Sequence, residues 1–307
     1  MAKKIIITGA TGLIGTKLCN ALIKRGDEIT IFTRNIQKGK RELPEVKKFV
    51  EWDYRKPEQW KSELNRKDAV IHLAGANLAG RRWSEQYKKI IIDSRLTSTK
   101  NLILGMEEID EKPGLFICAS AVGYYGNKDE ELITEQSPPS NDFLSDVCKK
   151  WELEASKAEF LGIRRVSLRQ APVLSKNDGM IKEMKLPFKL FLGGPIGTGK
   201  QWLPWIHIED LVNIYLFLLE NKNITGPVNA SSPNPVRMSE FADVMGKILQ
   251  RPSYFKIPKF LIRIIKGDLA DSITASQRVI PQKLLDAGFD FNFKDVQTSL
   301  RDLLIGK

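Results

Sequence analysis

The most restrictive feature of this chain lies within its first fifteen residues. A short apolar run, Ile5–Ile7, ends in Gly9-Ala10-Thr11-Gly12-Leu13-Ile14-Gly15, and a helical pattern follows with Leu18, Ala21 and Leu22 on one face. Gly26 supplies a helix stop, and Ile29–Phe32 reads as a second strand. Strand, glycine turn, helix, strand is the opening unit of a parallel sheet. Each glycine has its own task. Gly9 turns the chain off the strand, Gly12 lets backbone approach a pyrophosphate, and Gly15 lets the helix pack on the sheet. Thr11, Leu13 and Ile14 complete a cradle whose free N–H groups and helix dipole favour phosphate. The alternative, three glycines serving only as turn and packing residues, fits this frame less well.

The tip of the second strand discriminates between dinucleotides. An NAD-preferring domain places a carboxylate about 20 residues beyond the glycines to hold the ribose 2′-hydroxyl. Here the strand ends in Thr33-Arg34, with no acid in place. A carboxylate would repel a 2′-phosphate, whereas a guanidinium holds one with paired, charge-assisted bonds. NADP(H) is therefore expected over NAD(H), with a solvated Arg34 as the alternative.

A net charge of +11 invites a nucleic-acid reading, but Lys and Arg are interleaved with acids along all 307 residues. No basic run is dense enough to track a nucleic-acid backbone. A basic surface that favours an anionic cofactor is the better account. Cys19, Cys118 and Cys148 are widely spaced with no CxxC pair, which argues against disulfides or zinc and fits a reducing cytoplasm. With His72 and His207 the only histidines, no metal site is expected. No stretch approaches a membrane span or a signal peptide, so neither a membrane nor a nucleic-acid partner is expected.

Farther along, Phe49–Asp53 reads as a third strand, with Asp53 a candidate for the adenine edge or a plain turn residue. Ala69–Leu73 is a buried strand; Leu73, Ala74, Gly75 and Asn77 at its end would let the chain pass close to the middle of the cofactor. Ser84 caps a long helix through about Gly105, and Leu115–Cys118 is a strand opening into Ser120 and Tyr124. A helix over Asp142–Phe160 and a strand over Arg165–Leu168 complete an alternating series. The fold class is thus α/β, a Rossmann-type doubly wound parallel sheet. Residues 1–170 form the dinucleotide domain. Residues 171–307 form a smaller lobe on the substrate side, interleaved with the sheet and ending in a helical segment. In this second half Leu211–Leu219, Met238–Leu249, Pro258–Ile265 and Val296–Leu304 read as helices and Val228–Ala230 as a short strand. Arg81, Arg82, Trp83 and Arg95 form a basic–aromatic cluster, either a clamp for a phosphate of the cofactor or substrate, or ordinary surface around one buried tryptophan.

These motifs resemble the extended short-chain dehydrogenase/reductases of the nucleotide-sugar epimerase kind, over nearly the whole chain. The residues that carry the resemblance are Gly9-x-x-Gly12-x-x-Gly15, His72-Leu73-Ala74-Gly75, Ser120, Leu168-Arg169 and Trp205–Asp210. Arg81-Arg82-Trp83, Ser94-Arg95, Lys150-Trp151-Glu152, Gly193–Gly197, Val279-Ile280-Pro281 and Gly288-Phe289 are similar to an atypical epimerase-family branch with a C-terminal domain of unknown function. That likeness implies an NADP-binding protein acting on a small polar or sugar-nucleotide substrate. It also implies a homodimer paired through the helices 84–105 and 142–160.

One departure bears on catalysis. Active relatives carry Tyr-x-x-x-Lys on the helix after the serine loop, where the lysine lowers the tyrosine pKa for proton transfer. Here Cys148 stands near the tyrosine position and Glu152, one turn on, near the lysine position. A carboxylate beside a thiol disfavours thiolate, so the pair reads as a packed stripe more readily than as catalytic. Tyr124-Tyr125-Gly126-Asn127-Lys128 spells the pattern but sits in a turn. The catalytic candidates are therefore Ser120 as a carbonyl-polarising donor, Tyr124 as a proton source, and Cys148. Gly194–Gln201 nearly spells a phosphate-binding P-loop, but Gln201 replaces the magnesium-binding hydroxyl and Pro195 removes an N–H. It reads instead as a loop at the cleft mouth, with Lys200 and Trp202 within reach of substrate. His207 reads as a packed structural histidine. Two functions follow: an NADP(H)-dependent oxidoreductase or epimerase-like enzyme, or a cofactor-binding sensor with little turnover.

Overall fold

A computed structural model of the chain describes residues 2–176 and 178–306. Seven parallel strands form the central sheet: β1 (Lys4–Thr8), β2 (Glu28–Thr33), β3 (Lys48–Glu51), β4 (Ala69–His72), β5 (Leu115–Ala121), β6 (Arg164–Gln170) and β7 (Gly226–Ala230). Their order across the sheet is β7-β6-β5-β4-β1-β2-β3. The chain begins in the middle, runs out to β3, then returns to β4 on the other side of β1. That reversal leaves a crevice at the carboxyl ends of β1 and β4, where open α/β sheets bind ligands.

Alternation along the strands splits the core in two. Ile5, Ile7, Ile31, Ile71 and Ile117 face the helices α1 (Leu13–Arg25) and α6 (Ile208–Glu220). Ile6, Phe32, Val70 and Phe116 face α3 (Glu85–Glu107) and α4 (Phe143–Ser156), among Trp60, Leu102 and Trp151. A short helix α2 (Ile36–Glu42) follows β2, capped by Asn35. A third cluster, with Ile181, Phe188, Trp205, Phe241, Met245 and Leu300, lies in the second half. It packs α5 (Gly179–Lys189) and α7 (Met238–Leu249) against the C-terminal helix over Val296–Ile305.

Local chemistry sets the element ends. The side chains of Ser84 and Asp142 accept the N–H of Tyr87 and of Ser145, which starts α3 and α4 one residue after each cap. α4 stops at Ser156 rather than Phe160, because the chain tightens into a 3-10 turn ended by left-handed Gly162. β3 ends at Glu51, short of Asp53: Trp52 turns into the core and its N–H still bonds Thr33, but Asp53 leaves the ladder. β7 extends the region read as Val228–Ala230 and pairs in parallel with β6, so part of the second half belongs to the main sheet. His207 is buried, stacks on Phe293 at 3.7 Å, and accepts the Glu209 N–H through Nδ1, capping α6. Among the described residues, no helix is long and apolar enough to cross a membrane.

Candidate functional site

The cradle forms at the end of β1. Gly9 has a φ of 70°, and a Cβ there would stand 2.8 Å from the Ala74 nitrogen, so only glycine lets β1 and β4 turn this close together. A Cβ on Gly15 would meet Gly9 O at 2.5 Å, which seats the first turn of α1 directly on the loop. Gly12 differs. A Cβ there would meet only Gly9 O, at 3.3 Å, so its other side is open. The N–H groups of Leu13, Ile14 and Gly15 have no acceptor among the described residues, no side chain caps α1, and its first turn holds no acid. Unspent donors, open space and a dipole unopposed by carboxylates fit a pyrophosphate.

A histidine relay fixes this crevice. Thr8 Oγ1 lies 2.7 Å from His72 Nδ1 and accepts the Ala74 N–H at 3.2 Å, while His72 Nε2 lies 3.0 Å from Ser98 Oγ. Because Ser98 donates to the Ser94 carbonyl at 2.7 Å, every donor is satisfied when Thr8 donates to Nδ1 and Nε2–H donates to Ser98. His72 is therefore neutral. Burial, helped by the nearby Arg95 charge, pulls its pKa down to about 3.

At the tips of β2 and β3, Thr33 accepts the Asn35 N–H and shapes the turn, leaving Arg34 exposed with no ion-pair partner among the described residues. The Asp53 carboxylate accepts the Arg55 N–H, and its carbonyl accepts the Trp60 indole N–H. Asp53 is thus engaged in its own turn.

Leu13, Leu73, Gly75, Asn77, Arg95, Ser120 and Cys148 line one cleft of about 1160 Å³ above the carboxyl edge of the sheet. This volume suits a dinucleotide with a small substrate beside it. Arg95 is buried, donates to the Ala76 and Ile91 carbonyls, and lies over the Trp151 ring. Trp83 is buried, unlike Arg81 and Arg82, which stay exposed.

Beneath the cleft lies a buried polar cluster, which Ser120 joins to the cleft lining. Ser120 donates to Glu152 Oε1 at 2.6 Å. Arg169 grips the same carboxylate with Nε and Nη2, both at 2.8 Å, and sends Nη1 to Tyr125 Oη at 2.9 Å. Burial works against the Arg169 charge, but its bonds to Glu152 and Tyr125 more than offset this and hold the guanidinium above its usual range. Tyr125 in turn donates to Asn229 Oδ1 on β7, and burial pushes its pKa up to about 12. The Tyr124 ring lies under the Arg169 guanidinium, 3.5 Å from centroid to Cζ, and Tyr124 is not among the residues lining the cleft. Cys148 does line it, but burial, reinforced by Glu152, pushes its thiol up to about 12. With its own proton given to Glu152, Ser120 meets the cleft as an acceptor rather than as a donor.

Sequence reasoning placed Glu152 beside Cys148 and missed its bonds to Ser120 and Arg169. The link is a matter of register, since Ser120 pairs with Arg169 across β5 and β6. Arg169, a cation directly after Leu168 on a strand of the sheet, was the available signal. Farther out, Lys88, Lys259 and Arg263 line the cleft but are paired with Asp268 and Asp271, Lys88 to Asp268 at 2.6 Å and Lys259 to Asp271 at 2.7 Å. The P-loop look-alike is a closed turn: Gln201 donates to the Ile196 carbonyl at 2.7 Å and accepts from Thr198. The Arg237 and Arg278 guanidiniums both lie against the Trp202 ring, and neither Trp202 nor Lys200 lines the cleft.

Sheet order, glycine cradle and cleft together define a Rossmann-type dinucleotide-binding protein of the extended short-chain dehydrogenase/reductase class. Residues 5–230 match the NAD dependent epimerase/dehydratase family, and residues 257–303 match a domain of unknown function, DUF1731. The chain belongs to that epimerase/dehydratase family. It is 38% identical over 304 residues to the epimerase family protein SH2119 of Staphylococcus haemolyticus, covering 98% of this chain and 99% of that one. It is 36% identical over 303 residues to YfhF of Bacillus subtilis, covering 98% and 97%. Among solved structures, human epimerase family protein SDR39U1 (isoform 2) with NADPH superposes with a TM-score of 0.86 at 30% identity, covering 98% of each chain. UDP-galactose 4-epimerase, at 17% identity and a TM-score of 0.74, shares the fold.

Proposed function

We propose that this protein is an NADP(H)-dependent oxidoreductase or epimerase-like enzyme for a small polar or sugar-nucleotide substrate, with Ser120 and Glu152 handling the proton. When bound, the nicotinamide supplies reversible hydride transfer. The N–H groups of Leu13, Ile14 and Gly15 hold the pyrophosphate, Gly12 leaves room for it, and Arg34 holds the 2′-phosphate. The NADPH carried by the human relative supports this choice of cofactor.

The single observation that carries the chemistry is the Ser120–Glu152 bond of 2.6 Å in the cleft floor. A substrate hydroxyl donates to Ser120 Oγ; as its proton moves there, Ser120 passes its own to Glu152, and the reverse path returns it. Arg169 holds both carboxylate oxygens and so fixes the direction of that path. The same grip favours a second reading, a cofactor-binding sensor without turnover, because Arg169 already occupies both carboxylate oxygens of Glu152.

Incubation with NADPH or NADP+ and a panel of sugar nucleotides, carbonyl compounds and alcohols separates the two. Substrate-dependent change in nicotinamide absorbance that Ser120→Ala abolishes supports the enzyme. Constant absorbance across the panel with tight NADPH binding selects the sensor. Arg34→Ala should weaken NADPH by about 10–100-fold, the worth of a charge-assisted bond pair, and leave NADH unchanged. Equal loss for both nucleotides defeats the assignment of Arg34.

A further inference from the structure

The helix α8 (Lys259–Lys266, KFLIRIIK) leaves most of its apolar side chains in water. Its cations lie on the cleft side: Lys259 and Arg263, both about half exposed, pair with Asp271, and Lys266 pairs with Glu183 of α5 at 2.9 Å. Of its apolar residues only Ile262 is buried. Phe260, Leu261, Ile264 and Ile265 share the opposite face and stand in solvent, Ile264 at 64% and Ile265 at 68% exposure. A surface helix ordinarily hides that face.

The face does not end with α8. Lys266–Glu183 ties the end of α8 to the start of α5, and the Phe255 N–H bonds the Gly193 carbonyl where α5 runs out. Between these ties α5 buries Ile181, Met184 and Phe188 and leaves Leu186 outside, and Leu190, Phe191 and Leu192 directly after it are exposed too. Tyr254 and Phe255, on the approach to α8, are exposed as well. Two adjoining segments, tied at both ends, therefore each leave a set of large apolar side chains exposed.

Its rim is basic. Residues 179–192 and 251–266 hold Glu183 as their only acid, against Lys182, Lys185 and Lys189 on the first and Arg251, Lys256 and the three α8 cations on the second. Lys182, Lys185, Lys189, Arg251 and Lys256 have no ion-pair partner among the described residues. An isologous pairing of two copies would set these cations against their own images. A surface of phosphate headgroups over hydrocarbon complements both the apolar centre and the basic rim, as for helices that lie in a membrane interface.

We infer that this protein docks on anionic bilayers through the outer faces of α5 and α8. No spanning segment is involved; the contact is peripheral.

Flotation of the full-length chain with vesicles of phosphatidylcholine, alone or mixed with phosphatidylglycerol, tests this. Each basic residue near an anionic surface contributes about fivefold, so the mixed vesicles should bind at least about tenfold more tightly, and 0.5 M salt should remove most of the difference. Ile264→Glu/Ile265→Glu should lower binding at least about tenfold, given the value of burying each isoleucine. Both side chains point outward, so the thermal midpoint should hold; if that variant does not fold, Leu190→Glu/Leu192→Glu is the replacement and must give the same loss. Failure to float with phosphatidylglycerol vesicles overturns the inference, as does flotation that neither double variant reduces. Light scattering showing a dimer that the double variant dissolves, with vesicles ignored, also overturns it and assigns the face to a second copy.

Discussion

Glu152→Gln tests the cleft floor most directly. The Arg169 and Glu152 side chains are 3% and 11% exposed, and the two bonds between them are each 2.8 Å. Removing one partner of a buried ion pair costs about 3–5 kcal/mol, because the other charge is stranded. Glutamine keeps one acceptor oxygen, worth about 1 kcal/mol, but aims an amide N–H2 at Ser120 or Arg169, both of which need acceptors. The net loss is then about 3 kcal/mol, or roughly 6–12 °C in thermal midpoint at about 2–4 °C per kcal/mol. Arg169→Met alone should cost a similar amount by stranding the carboxylate. The double variant should be markedly less unstable than the two losses combined, since no charge remains unpaired. Thermal unfolding followed by circular dichroism at pH 7 reads all three. A midpoint for Glu152→Gln within about 2 °C of wild type, or losses that simply add, would show that the pair does not hold the cleft floor together. In the same variant any turnover should fall by about 10²-fold or more, because Ser120 loses its proton acceptor.

Gly12→Ala should fold with a loss of about 1 kcal/mol or less, since its Cβ meets only Gly9 O at 3.3 Å, yet bind NADPH more than tenfold more weakly by titration; Gly9→Ala, with φ at 70° and backbone at 2.8 Å, should be the less stable of the two. Equal thermal midpoints for these variants would contradict the division of labour among the glycines. The folded-state pKa of His72, about 3, lies below the unfolded value near 6.5, so the neutral ring contributes stability above pH 6.5 that is lost as pH falls toward 3. At pH 5 the loss is about 2 kcal/mol, and His72→Gln should remove that part of the midpoint's pH dependence. All three cysteines are buried, with burial pushing Cys19 and Cys148 up to about 12 and Cys118 higher still, so none should react with a disulfide reagent at pH 8 until the protein unfolds. Rapid labelling of Cys148 would restore it as a reactive candidate.

Much of the frame was legible because it is encoded locally. Gly9, Gly12 and Gly15 each answer to a steric need within a few residues, and Ser84 and Asp142 announce the starts of α3 and α4 by cap chemistry. Where neighbours far along the chain decide, legibility fails. That the strand 226–230 pairs with β6 could not be read from its five residues, since nothing in them shows that β6 has a free edge. Ser120 and Glu152 were each singled out, but as a donor and as a thiol's neighbour; the register that brings Arg169 opposite Ser120 turns the serine into an acceptor. The helix α8 shows the same limit in another form. Its periodicity reveals two faces but carries no sign, and the usual assumption turns the apolar one inward. Asp271, Asp268 and Glu183, brought in from other elements, hold the charged face instead. The exposed face of α8 is thus a consequence of where its cations find partners, and substituting Asp271 or Glu183 should loosen α8 before it disturbs the sheet.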